Sequence, residues 1–289
     1  MPAPNQPTDF PVVDAHHHLW DLAVRPQPFL DSNPVLAPLR RAFSLANLAP
    51  LAAAAGVGRT VVVQTVTEPA ETTELMALAD AGGLIAAVVG WADLTDARVG
   101  ESLASLRAAP GGQFLAGIRH PLLTEPDPLW LSRPDVRRGL NAVAAAGLVF
   151  DLVLPPALLP AAVRAVADVP DLTFVLDHLG NVDVTADGPP DAAWARSFRA
   201  LAALPNVVCK LSGILGEATA DRLRPYAEIA LEAFGPERLM FGSDWPVSTL
   251  SAGYGDVVAA ARALTAGLTA PERAAVLADT ACAVYRIPE

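Results

Sequence analysis

Cysteine is nearly missing from this chain of 289 residues, which holds two. Cys209 and Cys282 stand far apart and match neither a zinc nor a redox spacing. That excludes a disulfide framework and a thiolate metal site, and it points to a reducing compartment. Basic residues are scarce too: 20 Lys and Arg face 31 Asp and Glu, a formal net charge of −11. Spread along the chain, this charge repels phosphate, so neither nucleic acid nor an anionic membrane is the expected partner. Long apolar runs are also lacking. Although 52% of the residues are hydrophobic, charge, Gly or Pro interrupts every run well before the ~20 residues a membrane span needs. The opening MPAPNQPTDF has neither the basic nor the apolar segment of a signal peptide. The expectation is a cytoplasmic protein.

What the chain does have is alternation. Short β-branched runs at 12–16, 60–66, 84–91, 114–120, 148–154, 173–179, 206–211 and 238–244 are each followed by an Ala- and Leu-rich stretch of helical character. Parallel strands joined by crossover helices produce this pattern, and continuous apolar strands are those covered on both faces. Gly56, Gly82, Gly147 and Gly235 each follow such a stretch, where a left-handed helix cap favours a residue without Cβ. Thr269 and Glu272 have the spacing of a capping box at the start of the last helix. Eight units predict an α/β fold, a single (β/α)8 TIM-like barrel over 1–289 with 1–11 as an extended tail, although an open doubly wound sheet shares the local pattern. Two connections, 19–45 and 121–133, are long and Pro-rich, the character of lids or binding walls.

In such a barrel the site lies where the strands end, and the polar residues there form a distinct set. They are His16 and His18, then Gln64, Trp91, Arg119 with His120, Asp151, His178, Lys210 and Asp244. Three consecutive histidines, His16 to His18, sit inside a folded-looking stretch, unlike a purification tag. Side chains alternate along a strand, so His16 and His18 share one face and His17 takes the other. That pair makes a pincer for a divalent metal or a substrate oxygen, with Asp14 or a backbone carbonyl to set the tautomer.

The segments VVDAHHHLWD, GIRHPL, FVLDHLGN, VVCKLSG and FGSDWPV, in this order over nearly the whole chain, resemble the amidohydrolase superfamily and, within it, the sugar-lactonase group of L-fuconolactonases and L-rhamnonolactonases. The resemblance implies a distorted amidohydrolase-type barrel with H-x-H closing strand 1, His178 strand 6 and Asp244 strand 8. Well-known members carry a carbamylated lysine on strand 4. This chain has one lysine, Lys210, on strand 7, and its fifth strand offers Asp151 in place of a histidine. The usual metal sites are therefore incomplete, which leaves two readings open: no cofactor, or one divalent ion, zinc first, on His16, His18 and Asp244.

Opening a lactone needs a base for water, donors for the oxyanion and an acid for the leaving alkoxide. Asp244 is the expected base, with His16, His18 and His178 as its catalytic companions. Arg119, His120, Gln64, Trp91, Lys210 and Asp151, with Trp20 and Trp245 at the rim, are the expected substrate-binding residues. Arg119 could instead pair with Asp151 as a structural ion pair. The expected partner is a small sugar-derived lactone, and a homo-oligomer is left open. The rivals are a pyrone-dicarboxylate lactonase, for which Arg25, Arg40 and Arg41 could supply an arginine cluster, a metal-dependent decarboxylase, and a sugar-binding barrel without turnover.

Overall fold

The computed structural model describes residues 12–185, 188–214 and 220–288; the expected tail at 1–11 lies outside them. Eight strands form one parallel sheet in chain order: β1 (Val12–His17), β2 (Val57–Val63), β3 (Ile85–Gly90), β4 (Leu115–Pro121), β5 (Val149–Val153), β6 (Phe174–Leu176), β7 (Val207–Leu211) and β8 (Leu239–Phe241). All eight expected strands are present. β6 and β8 end earlier than their apolar character suggests, because His178 and Asp244 turn into the left-handed region, at φ 55° and 57°.

Alternation divides the apolar residues into two clusters. Phe150, Leu152, Phe174, Leu176, Cys209 and Phe241 face the surrounding helices. Val61, Val63, Val89, Val149, Val175, Val208 and Met240 face the barrel axis. The interior cluster is completed by Ala278, Ala281, Tyr285 and Ile287, so the C-terminal segment fills the lower end of the barrel. Its capping box forms as expected, with the Thr269 N–H and hydroxyl donating to Glu272 Oε2 at 2.8 and 2.7 Å. The expected glycine caps at 56, 82, 147 and 235 all have positive φ.

The barrel closes irregularly. Beyond the last ladder bond of β8, Asp244 N–H donates to His16 O at 2.8 Å and His18 N–H donates to Trp245 O at 2.7 Å. Asp14, fully buried, joins the same seam: its carboxylate accepts from Ser243 N–H at 2.7 Å, the Ser243 hydroxyl at 2.6 Å, the Tyr254 hydroxyl at 3.0 Å and His16 N–H at 3.1 Å. β1 also carries a bulge. Asp14 pairs with Thr60 but His17 with Val62, so three steps on β1 match two on β2. Val13 and Ala15 belong to the interior cluster, and the bulge turns His16 to the same side one residue later. His17 is thrown outward, where its Nε2 meets Thr60 Oγ1 at 2.9 Å.

The seam predicts a stability effect. Asp14→Ala leaves several buried donors without an acceptor and is expected to cost roughly 3 kcal/mol in urea unfolding, with Tyr254→Phe costing about 1 kcal/mol. A loss under about 0.5 kcal/mol for Asp14→Ala would show that closure does not depend on this carboxylate.

Candidate active site

At the C-terminal rim a cavity of about 480 Å³ has His18, Arg119, His178 and Asp244 among its lining residues. Around it stand Phe29 and Leu36 from the first long loop, Thr65 to Thr67 after β2, Leu123 and Thr124 after β4, and Asn181 and Val247. Three imidazoles converge on one carboxylate oxygen: from Asp244 Oδ1, His18 Nε2 lies at 3.5 Å, His16 Nε2 at 3.7 Å and His178 Nε2 at 3.9 Å. These separations are those of groups that share a third atom rather than of directly bonded pairs.

Each histidine is oriented from behind. The Val63 carbonyl accepts from His18 Nδ1 at 2.8 Å, which directs the His18 Nε2 lone pair toward Asp244. The backbone carbonyl thus sets this tautomer, while Asp14 serves the seam. His178 Nδ1 meets the Ser212 hydroxyl at 2.8 Å. Two glycines make the room: a Cβ at Gly213, which sits at φ +72°, would lie 2.6 Å from the His178 ring, and one at Gly242 would lie 2.7 Å from His16 Cβ.

Beneath His16 lies a fully buried ionic layer. Lys210 Nζ is 2.6 Å from Asp151 Oδ2, 3.0 Å from Asp177 Oδ1 and 3.0 Å from His16 Nδ1. The Tyr285 hydroxyl donates to Asp151 Oδ2 at 2.9 Å. Arg119 pairs with Asp177 at 3.2 Å and donates to the Gln64 side-chain oxygen at 3.2 Å. The alternative Arg119–Asp151 pair gives way to two others, because Lys210 reaches Asp151 and Arg119 reaches Asp177.

The electrostatics follow from burial and these neighbours. Burial pushes the Asp244 carboxyl up, but His178, His18 and Arg119 outweigh it and hold it below the ordinary carboxylate range. Burial works the same way on Asp177, and Lys210 and His16 overcome it to hold that group well below its usual value. Asp151 goes the other way, to about 6, because burial and the Asp177 charge exceed the help from Lys210. Burial lowers His178, with the cations Arg119 and Lys210 adding to it against Asp244 and Asp177. His16 is pushed well down by burial and by Lys210.

The donor set suits a divalent ion. Tetrahedral zinc with bonds of ~2.0–2.1 Å to nitrogen separates its ligands by about 3.4 Å. His16 and His18 Nε2 are 3.2 Å apart, and both lie near that distance from Asp244 Oδ1. His16 has two states compatible with its neighbours. When Nδ1 accepts from Lys210, Nε2–H donates to His18; when Nδ1–H donates to Asp177 Oδ1, 3.3 Å away, the Nε2 lone pair is available to a cation. A second trio, His16, Asp177 and His178, also clusters, but Asp177 is already neutralised by Lys210 and Arg119.

Several residues expected to touch substrate stand elsewhere. Gln64, Asp151 and Lys210 are fully buried under the floor, where they hold Arg119 and His16 instead. Trp20 and Trp245 are buried and flank Phe43, at ring distances of 5.2 and 5.4 Å, so they clamp the first loop rather than face the cavity. Trp91 and His120 line an adjoining cavity. Arg25, Arg40 and Arg41 line neither: Arg25 pairs with Glu68 and Glu74, Arg40 with Asp31, and Arg41 lies over Phe43. The residue missed from sequence is Asp177. Its signal was present, since it stands one residue past β6 and two after the inward-facing Val175.

Residues 13–287 match the amidohydrolase family. The chain is 36% identical over 287 residues to an L-fucono-1,5-lactonase of Burkholderia ambifaria, covering 95% of each, and 35% identical over 291 residues to one of Burkholderia multivorans, covering 96% of each. Among solved structures, a zinc-bound amidohydrolase from Burkholderia multivorans is similar with a TM-score of 0.88 and 35% identity, over 96% of this chain and 100% of that one.

The ionic layer generates its own prediction. Lys210→Met leaves Asp151 and Asp177 facing each other in a buried interior and should cost roughly 3–5 kcal/mol of stability. Thermal and urea unfolding read this directly, and an unchanged midpoint would mean that the two carboxyls do not depend on the lysine.

Proposed function

Because the chain belongs to the amidohydrolase family and is similar along almost its whole length to L-fucono-1,5-lactonases, we propose that it hydrolyses a small sugar-derived lactone, an aldono-1,5-lactone, to the open hydroxy acid. The observation that carries this reading is the convergence of His16, His18 and His178 on Asp244 Oδ1 at 3.5–3.9 Å, beside Arg119 on the floor of the cavity.

Asp244 takes a proton from the attacking water as the new C–O bond forms at the lactone carbonyl. Arg119 and an imidazole N–H face the oxygen on which negative charge develops. When the intermediate collapses, the bond between the acyl carbon and the ring oxygen breaks, and the proton returns from Asp244 to the leaving alkoxide. A carboxylate held below its usual pKa is a weak base, which suits a cyclic ester better than an amide. His16, His18 and Asp244 would hold the divalent ion, and its chemistry when bound is Lewis-acid polarisation of an oxygen and a lowered pKa for water.

The rivals fit less well. A dicarboxylate needs several cations at the cavity, and Arg119 is the one among the described lining residues. A decarboxylase of the metal-dependent type should present a histidine on β5, where Asp151 instead lies under the floor. A binder without turnover has no use for a base held among three imidazoles.

Three outcomes are expected. Asp244→Asn, which keeps an amide tolerant of left-handed backbone, should lower lactone hydrolysis by about 10³-fold with unchanged circular dichroism; wild-type turnover would remove Asp244 from the chemistry. Asp244 and His178 are both shifted down, so the acid limb of kcat/KM should lie below the ordinary imidazole value of 6.5. Ionised Asp244 and neutral His178 persist as pH falls through that value, and activity that halves at or above it contradicts the assignment. After exhaustive chelation, zinc titration calorimetry should show about one site per chain that is lost in His18→Ala; equal zinc binding by both proteins would move the metal site elsewhere.

A further inference from the structure

Next to the catalytic cavity lies a second one, of about 420 Å³. Thr67, Pro121 and Thr124 line both, so the two meet at the rim. Strand β4 divides them: Arg119 faces the first, and His120, the next residue, faces the second, as alternation requires.

The second cavity is built rather than incidental. His120 stacks on Trp130 at 4.2 Å with planes 7° apart, accepts from Trp91 Nε1 at 3.2 Å through Nδ1, and meets Glu125 Oε2 at 2.9 Å through Nε2. Both ring nitrogens are thus used, and burial lowers its pKa despite Glu125 and Asp93. Trp130 is buried against His120, whereas Trp91 is partly exposed at the cavity wall. Asp93 and Glu125 add carboxylate acceptors.

We propose that this cavity receives a second hydroxylated ring, so that the enzyme takes lactones carrying a glycosyl substituent. The C–H face of a pyranose packs on an indole, and its hydroxyls donate to carboxylates. A cation would need several aromatic walls around it, and of the two indoles at this cavity only Trp91 is partly exposed. The inference rests on the lactonase reading, because the first ring must occupy the floor at Asp244 for the second to reach past Thr67 and Thr124.

The test reads binding, independently of turnover. Aldonates derived from disaccharides, lactobionate, maltobionate and cellobionate, are titrated against the protein and followed by saturation-transfer NMR, which resolves the two halves of each ligand. For at least one of them, protons of both halves should receive saturation. Trp91→Ala should weaken binding about tenfold and remove the signal of the glycosyl ring, with the aldonate signals as internal reference. Trp91→Phe, which keeps a flat face, should restore it. Saturation confined to the aldonate half, a glycosyl signal indifferent to Trp91→Ala, or no binding by any of the three overturns the proposal. Binding of both rings by a protein that opens no lactone would sink the activity and leave the second subsite standing.

Discussion

The seam between β8 and β1 is the constraint on which the rest of the molecule depends. Eight short strands must close, yet the last one leaves regular pairing at Phe241, and the residues just beyond it are held by two backbone bonds and the buried Asp14 carboxylate. The same few bonds bring Asp244 against His16 and His18. Closure and site assembly are therefore a single event: the residues that complete the barrel are those that complete the catalytic group. Burial pushes the Asp14 carboxyl up to about 6 even with its four donors, so the seam stores a polar group that only a fully hydrogen-bonded surrounding can hold.

Below the seam, charge is arranged in layers. The lower layer, Lys210 with Asp151 and Asp177, is fully buried; its role is to orient, since it touches His16 and Arg119 and not the cavity. The upper layer, Asp244 with His18 and His178, meets the cavity. Asp151 and Asp177 differ in pKa direction although they share one lysine, because His16 and His178 also act on Asp177. The C-terminal segment reaches this layer through Tyr285, so the bottom of the barrel and the catalytic rim are joined by one chain of polar contacts.

The two long loops divide the remaining work. The first is anchored by Trp20 and Phe43 on Trp245, leaving Phe29 and Leu36 to wall the catalytic cavity. The second supplies Glu125 and Trp130 to the neighbouring cavity. A tryptophan at the rim can serve either as a buttress or as a binding face. Trp20 and Trp91 look alike in sequence, and only their packing partners tell them apart.

The eight-fold alternation, the capping residues, and the identity of the polar groups at the strand ends were all legible from local pattern, because periodicity and propensity act over a few residues. So was the pairing of His16 with His18 apart from His17, which needs only the two-residue period of a strand. Which way that pair faces was not legible: a bulge between Asp14 and His17 shifts the phase, and its cause lies in bonds to β2 and β8. Nor could the sequence show that Lys210 is buried under the site, that Arg119 and His120 face different cavities, or that His178 and Asp244 are held in left-handed backbone. Those are decided by contacts between residues remote along the chain, which local pattern does not encode and which exist only once the barrel has closed.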